Sequence, residues 1–301
     1  MRTAWLCGPA TLIVLLALAG TAAAQHPEML VSTDWLASHL SDPRLLVLCI
    51  ADDESFYSAG HIPGARLVRL SEIATTSNGV PNQLPSAEHL QKVFENAGAS
   101  DNSRVVLYGE RTGVMAARAY FTLDYLGLGN TAALLDGGIE KWRSEHRPTT
   151  KERPNVRPGK LHIHIQQDAL VETPFMNAIA RSSSAFVLLD ARPKAEYSGL
   201  RLSEGITKSG HIPGARSLYW QELLVPGDVP QLLPVSELKE KFASAGADPG
   251  DAVVTYCRTG MQSSFDYFVA KYLGYRVQMY VGSFYEWTKS SHGGQTSAFC
   301  H

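Results

Sequence analysis

Cys257 stands where an apolar run gives way to a glycine-bearing loop, in Val253-Val254-Thr255-Tyr256-Cys257-Arg258-Thr259-Gly260-Met261-Gln262-Ser263-Ser264. The apolar run reads as a buried strand, the next residues as a tight loop, and the stretch through about Leu273 as a helix. Such a connection aims loop N–H groups and the positive end of a helix at the sulfur, and Arg258 adds a full charge. These surroundings favour a thiolate and hold an anion formed on it, so Cys257 is placed to act as a nucleophile. A cysteine serving only as strand-end packing needs neither the Gly turn nor the neighbouring Arg.

The elements around this loop occur twice. His61-Ile62-Pro63-Gly64-Ala65-Arg66 returns letter for letter as His211-Ile212-Pro213-Gly214-Ala215-Arg216, each after a glycine (Gly60, Gly210). Arg111-Thr112-Gly113 matches Arg258-Thr259-Gly260, and Leu84-Pro85-Ser86 matches Leu233-Pro234-Val235-Ser236. Gly138-Ile139-Glu140-Lys141-Trp142 answers to Gly282-Ser283-Phe284-Tyr285-Glu286-Trp287. The offset is about 150 residues, far beyond a solenoid period, so a whole domain is duplicated.

In the first half the patterns predict a helix over 34–39, a strand over 45–50, a helix over 86–97 capped by Ser86, and a strand over 105–108. A helix over 114–125, a strand over 132–135 and a helix over 138–144 follow. The second half predicts a helix from about Pro174, strands over 185–189, 252–256 and 277–281, and helices over 236–245, 263–273 and 283–290. Strands alternating with helices make an α/β fold, each domain a mostly parallel sheet covered on both faces. Ligands of such sheets sit beyond the carboxyl ends of the strands, where Cys257 falls. The expected organisation is a leader (1–24), a first domain (28–146), a Pro/Arg/Lys-rich linker (147–160), a second domain (161–291) and a Gly/Ser-rich tail (292–301).

The net charge of -2, without long charged blocks, argues against nucleic-acid or membrane-surface partners, and the 45% apolar content suits globular domains. Arg2, the apolar stretch Leu12–Leu18 and Ala22-Ala23-Ala24 read as a cleavable secretory signal, too short for a membrane span. The mature chain is therefore expected to be exported, periplasmic or secreted, without a stable membrane anchor. It keeps Cys49, Cys257 and Cys300; an odd count in an oxidising compartment implies a free thiol or an intermolecular bridge. Cys49 lies in the strand pattern Leu45–Ile50 and reads as packing. His162-Ile163-His164 alternates like a strand, but two imidazoles are too few for a metal site.

The two G-H-I-P-G-A segments, Asp190-Ala191-Arg192, the strand ending in Cys-Arg-x-Gly and the closing Gly-to-Trp segments together resemble the rhodanese sulfurtransferases over about 28–289. The resemblance implies tandem rhodanese domains of which only the second keeps the cysteine. It also implies transfer of a sulfane sulfur from a small donor such as thiosulfate to a thiophilic acceptor such as cyanide, or to a protein thiol, through a cysteine persulfide. Backbone N–H groups from Arg258 through Thr259, Gly260, Met261, Gln262 and Ser263 can cradle that anion, with hydroxyls from Thr259 and Ser263. By the resemblance, Arg192 orients the donor together with Arg258. No metal or organic cofactor is required. His61 and His211, shared by both halves, read as structural, as do Trp142 and Trp287.

The first half departs from the pattern: Tyr108-Gly109-Glu110-Arg111-Thr112-Gly113 lacks the cysteine and adds an acidic residue. Members of thiosulfate type carry two basic residues after the cysteine, and those of 3-mercaptopyruvate type carry Cys-Gly-Ser-Gly. Cys-Arg-Thr-Gly keeps one charge and leans toward thiosulfate, with 3-mercaptopyruvate as the alternative donor. A phosphatase or arsenate reductase loop would place an Arg six residues after the cysteine, where this chain has Ser263. A persulfide carrier without small-molecule turnover remains a third reading.

Overall fold

The structure, a computed structural model, describes residues 26–110, 112–180 and 185–290. The expected leader, Arg111, Cys300 and the expected tail lie outside the described residues. In the first half the elements are β1 (Leu30–Val31), α1 (Thr33–His39), β2 (Leu45–Ala51), α2 (Glu54–Ser58), β3 (Arg66–Arg69), α3 (Leu70–Ile73), β4 (Thr75–Ser77), β5 (Val80–Gln83), α4 (Ala87–Asn96), β6 (Arg104–Gly109), α5 (Val114–Tyr125), β7 (Ala132–Leu135) and α6 (Gly138–Ser144). The second half runs β8 (Leu170–Val171), α7 (Thr173–Ile179), β9 (Phe186–Asp190), α8 (Lys194–Tyr197), β10 (Arg216–Ser217), α9 (Val235–Ser244), β11 (Ala252–Tyr256), α10 (Ser263–Leu273), β12 (Arg276–Tyr280) and α11 (Ser283–Lys289).

Each half is built on a five-stranded sheet, in the order β1-β7-β6-β2-β3 and β8-β12-β11-β9-β10, with every neighbouring pair parallel. The two orders correspond strand for strand, so the sequence repeat is a repeat of topology. Small contacts repeat with it: the Tyr108 hydroxyl accepts from the Ile62 N–H at 3.3 Å, and Tyr256 does the same for Ile212 at 3.2 Å. His61 stacks on Tyr57 and His211 on Tyr197, each ring bonded through Nδ1 to that tyrosine's backbone carbonyl. Both imidazoles are buried turn anchors.

The elements with strong apolar periods match their predicted bounds closely: α5, β7, α6, β11 and α10 coincide with them. Ser86 caps α4 as expected, its Oγ accepting from the His89 N–H at 3.2 Å. Edge strands β3 and β10 and the antiparallel ribbon β4–β5 escape the periodicity, being too short to show one. His162-Ile163-His164 is not a strand. Its backbone instead satisfies the end of α5, where His164 N–H donates to Leu126 O at 2.9 Å, while the His162 ring pairs with Asp101. Among the described residues no cluster of three or more metal-ligating side chains occurs, and no helix is long and apolar enough to cross a membrane.

What joins the halves is the contact between α5 and α10, the equivalent helices of the two repeats. Both are buried nearly all round, as helices apolar on every face must be. Tyr120 meets Phe268 edge-on with centroids 4.9 Å apart, and Phe121 meets Tyr267 in the same way at 5.0 Å. One apolar core consequently runs from the sheet of one half to the sheet of the other. A polar link crosses it: Asp124 on α5 accepts from the Tyr267 hydroxyl at 2.6 Å and from the Lys271 ammonium. Asp124→Ala strands both donors, and with Lys271 partly solvent-screened the cost is about 2 kcal/mol. The expected result is a urea midpoint lowered accordingly in one cooperative transition; an unchanged midpoint would show that the apolar contact alone holds the halves together.

Candidate active site

Cys257 follows the last residue of β11, the central strand of its sheet, at the carboxyl end. It is 1% exposed. The Gly260 N–H donates to its Sγ at 3.2 Å, closing the loop over the sulfur. Gly260 has φ +84°, and a Cβ there would meet Val281 O at 2.7 Å, so both backbone conformation and space demand glycine. The loop is tied to α11: Cys257 N–H donates to Ser283 Oγ at 3.2 Å, and the N–H groups of Phe284 and Tyr285 bond the carbonyls of Cys257 and Arg258 at 2.9 Å. Thr255 Oγ1 donates to Ser263 O at 3.1 Å, fastening the strand end to the start of α10. With the carbonyls of Cys257 and Arg258 tied to α11 and the Gly260 N–H turned inward, the loop presents a donor to the sulfur.

A cavity of about 390 Å³ opens over the sulfur, lined by Cys257, Arg258, Thr259, Met261 and Gln262 of the loop. Its other walls are Asp52, Leu70, Asn82 and Val114 from the first half, and Glu196 and Trp220 from the second. Asn82, on the ribbon of the first half, donates through Nδ2 to Thr259 Oγ1 at 2.9 Å. Glu196 accepts from Arg201 at 3.1 Å and from the Ser203 hydroxyl.

Two expected positions are corrected. Arg192 does not line the cavity: it is 1% exposed, forked onto Asp190 through Nε and Nη2 (2.6 Å to Oδ2), and bonded to Gly210 O at 2.9 Å. Its guanidinium carbon lies 4.0 Å from the Phe284 ring centroid. Burial and the Asp190 carboxylate claim this arginine for the fold, while Glu196, one helical turn further on, takes the place at the cavity. Ser263 is likewise absent from the lining, fully buried with its Oγ unbonded. Asn82 and the first-half wall residues carry no motif and follow only from how the halves pack. Arg118, whose Nη1 donates to Gly260 O at 3.2 Å, is one of two charges in the otherwise largely apolar α5, the other being Asp124.

The equivalent place in the first half is closed. A Cβ at Gly109, the counterpart of Cys257, would lie 2.4 Å from Ile50 O, so no cysteine fits there. The space over Gly109, Thr112 and Gly113 is only about 20 Å³ and is walled by Pro230, Leu232 and Phe265 from the second half. That volume holds about one water. Cys49 is fully buried, and burial pushes its thiol up to about 12, consistent with inert packing.

Below the Cys257 loop, Asp266 of α10 is fully buried with neither carboxylate oxygen hydrogen-bonded. Burial, reinforced by Cys257 and Asp190, pushes its carboxyl well above the ordinary value of 3.8. The folded state therefore holds a proton that the unfolded chain has released, and stability falls as pH rises above about 4. Asp266→Asn removes this dependence. The melting temperature of the variant relative to wild type is expected to climb as pH rises above about 4; a flat difference would mean that Asp266 is not held as the neutral acid.

Residues 32–145 and 175–290 each match the rhodanese-like domain. The chain is 34% identical over 273 residues to the sulfur carrier protein TtuD of Thermus thermophilus, covering 87% of this chain and 94% of that one. It is 30% identical over 254 residues to a thiosulfate sulfurtransferase of Azotobacter vinelandii, covering 84% and 91%. The crystal structure of SseA from Escherichia coli, described under 3-mercaptopyruvate sulfotransferases, superposes with a TM-score of 0.75 at 22% identity over 85% of this chain and 98% of that one. A complex of EanB with hercynine superposes with a TM-score of 0.78 at 22% identity over 91% and 70%, a likeness of fold. The chain thus belongs to the rhodanese family, as a tandem-domain sulfurtransferase.

Proposed function

We propose that this chain transfers a sulfane sulfur from thiosulfate to a thiophilic acceptor such as cyanide through a persulfide on Cys257. The observation that carries the reading is the Cys257 sulfur at the floor of a polar cavity, with the Gly260 N–H aimed at it. The Cys257 thiolate attacks the outer sulfur of thiosulfate; the donor's S–S bond breaks and sulfite leaves with the electron pair. The persulfide anion then lies within the loop, where N–H donors and the Arg258 charge offset it. Cyanide attacks the terminal sulfur, thiocyanate departs, and the thiolate is restored without oxidant or reductant.

Arg258 favours the dianionic donor because it brings a full charge to the wall beside the sulfur. The names of the Azotobacter relative and of one from Corynebacterium glutamicum, 29% identical over 273 residues, agree with thiosulfate. The Thermus relative's name supports a second reading in which the persulfide passes to a protein thiol. With the cleavable leader read from residues 1–24, the proposal is that this chemistry takes place outside the cytoplasm.

Thiocyanate formation from cyanide, with thiosulfate and 3-mercaptopyruvate compared as donors, tests the proposal. Cys257→Ser is expected to lower turnover at least about a thousandfold. Arg258→Ala is expected to raise KM for thiosulfate about tenfold or more, one charge-assisted contact being worth about 1.5–3 kcal/mol. A preference for 3-mercaptopyruvate would overturn the donor. Absence of Cys257-dependent turnover with either donor, together with a persulfide seen by intact mass, would leave the carrier reading.

A further inference from the structure

Arg118 is a buried cation without a carboxylate. It sits on α5, in the half that lacks the cysteine, and is 0% exposed. Its Nη1 donates to Gly260 O at 3.2 Å and its Nη2 to Asn82 O at 2.7 Å, while Nε has no hydrogen-bond partner. Among the described residues it makes no ion pair, whereas the other arginine buried to this degree, Arg192, is forked onto Asp190. A fully buried guanidinium held by two neutral carbonyls is costly unless an anion lies within reach.

We infer that the anion is the sulfur of Cys257: Arg118 is the counter-charge of the thiolate and persulfide, and it also orients the loop that carries them. One residue links the two roles. Gly260 gives its N–H to the Cys257 sulfur and its carbonyl to Arg118, so the guanidinium holds the carbonyl away from the sulfur and keeps the N–H turned toward it. A Cβ on Gly260 would lie 3.4 Å from Arg118 Nη1, which shows how closely the guanidinium abuts the loop. Burial draws the Arg118 group down to about 10, and Cys257 is the charge that opposes the shift. The guanidinium therefore stays protonated at neutral pH.

The other charged groups around the sulfur are already engaged or lie elsewhere. On β9, Asp190 is taken by Arg192. On α10, Asp266 is pushed toward its neutral form. Glu196 of α8 pairs with Arg201, and Arg258 and Asp52 stand on the cavity wall. Arg118 approaches from behind the loop and leaves the cavity free for donor and acceptor. The half without the cysteine thus supplies one of the charges on which sulfur chemistry in the other half depends.

The inference rests on Cys257 as the reacting group, and alkylation reads that group without any sulfur donor. Failure of the proposed sulfur transfer and failure of the charge pairing are therefore distinguishable. The rate of Cys257 alkylation by iodoacetamide is followed across pH by peptide mass spectrometry in wild type, R118Q and R118K. In R118Q the pH of half-maximal rate is expected to rise by about one unit or more, as for loss of an opposite charge nearby. R118K keeps the charge and is expected to leave the midpoint in place. An R118Q profile overlying wild type, at any melting temperature, overturns the inference.

A second measurement needs no change at Arg118. In a C7S/C300S background, Cys257 is converted to its carboxymethyl or its carbamidomethyl adduct, nearly equal in shape and different in charge. The anionic adduct is expected to melt at the higher temperature; equal or reversed melting points overturn the inference.

Discussion

The contact between α5 and α10 is the constraint on which the rest of this molecule depends. Each helix follows the loop at the carboxyl end of the central strand of its own sheet. Packing the two helices together therefore brings each loop against the opposite half. The cavity over Cys257 takes Asp52, Leu70, Asn82 and Val114 from the first half by this route, and the space over Gly109 is filled by Pro230, Leu232 and Phe265 from the second. Small residues on α5, Ala116, Ala117 and Ala119, allow close approach, and the Tyr and Phe rings of both helices fill what remains.

From one topology used twice come two unlike sites. In the first half the backbone of Ile50 closes on Gly109, and the aromatic ring of Phe265 approaches the loop at Gly113. In the second half the cysteine has room and a bonded serine beneath its N–H, although both loops keep a glycine at positive φ, Gly113 and Gly260. The loss of the cysteine in one half is thus a packing state and not a single missing atom. Restoring a cysteine at 109 would need the strand-end carbonyl of β2 to move. The closed half is spent on structure: its helix, ribbon and loops form the wall of the open one.

Legibility in the sequence followed the physics of each feature. Mainly apolar segments such as Val114–Tyr125 and Ala252–Tyr256 were readable to the residue because burial on nearly all faces leaves a strong apolar signal. Strands of two to four residues at the sheet edge, Arg216–Ser217 among them, carry no period and came only with the structure. At the site, Cys257 and its glycine were readable because they are contiguous and because few conformations suit them. Arg192 was expected at the donor by the resemblance alone, but a carboxylate two residues earlier, Asp190, captures it within the same turn. Asn82 and Glu196 had no local signature, since each matters only through a surface that another segment presents.

Charge distribution then decides what the site can hold. The three arginines near the sulfur have three different fates: Arg192 is neutralised by Asp190, Arg258 stands on the cavity wall, and Arg118 is buried behind the loop. Against them, Asp266 is held toward its neutral form and Glu196 is satisfied by Arg201 and Ser203. The loop therefore faces a positive charge from behind, Arg118, and one at the cavity wall in front, Arg258. Such an arrangement stabilises a charge that stays on the sulfur throughout the cycle, and it asks little of the bound donor beyond one anionic group for Arg258. Discrimination among donors then falls to the cavity wall, where Trp220, Met261 and Leu70 present apolar surface beside Asn82 and Thr259. Under the proposed function, a small inorganic donor needs only the charge and the sulfur, whereas a larger organic donor or an incoming protein thiol must also fit that wall, which the loop and both halves build together.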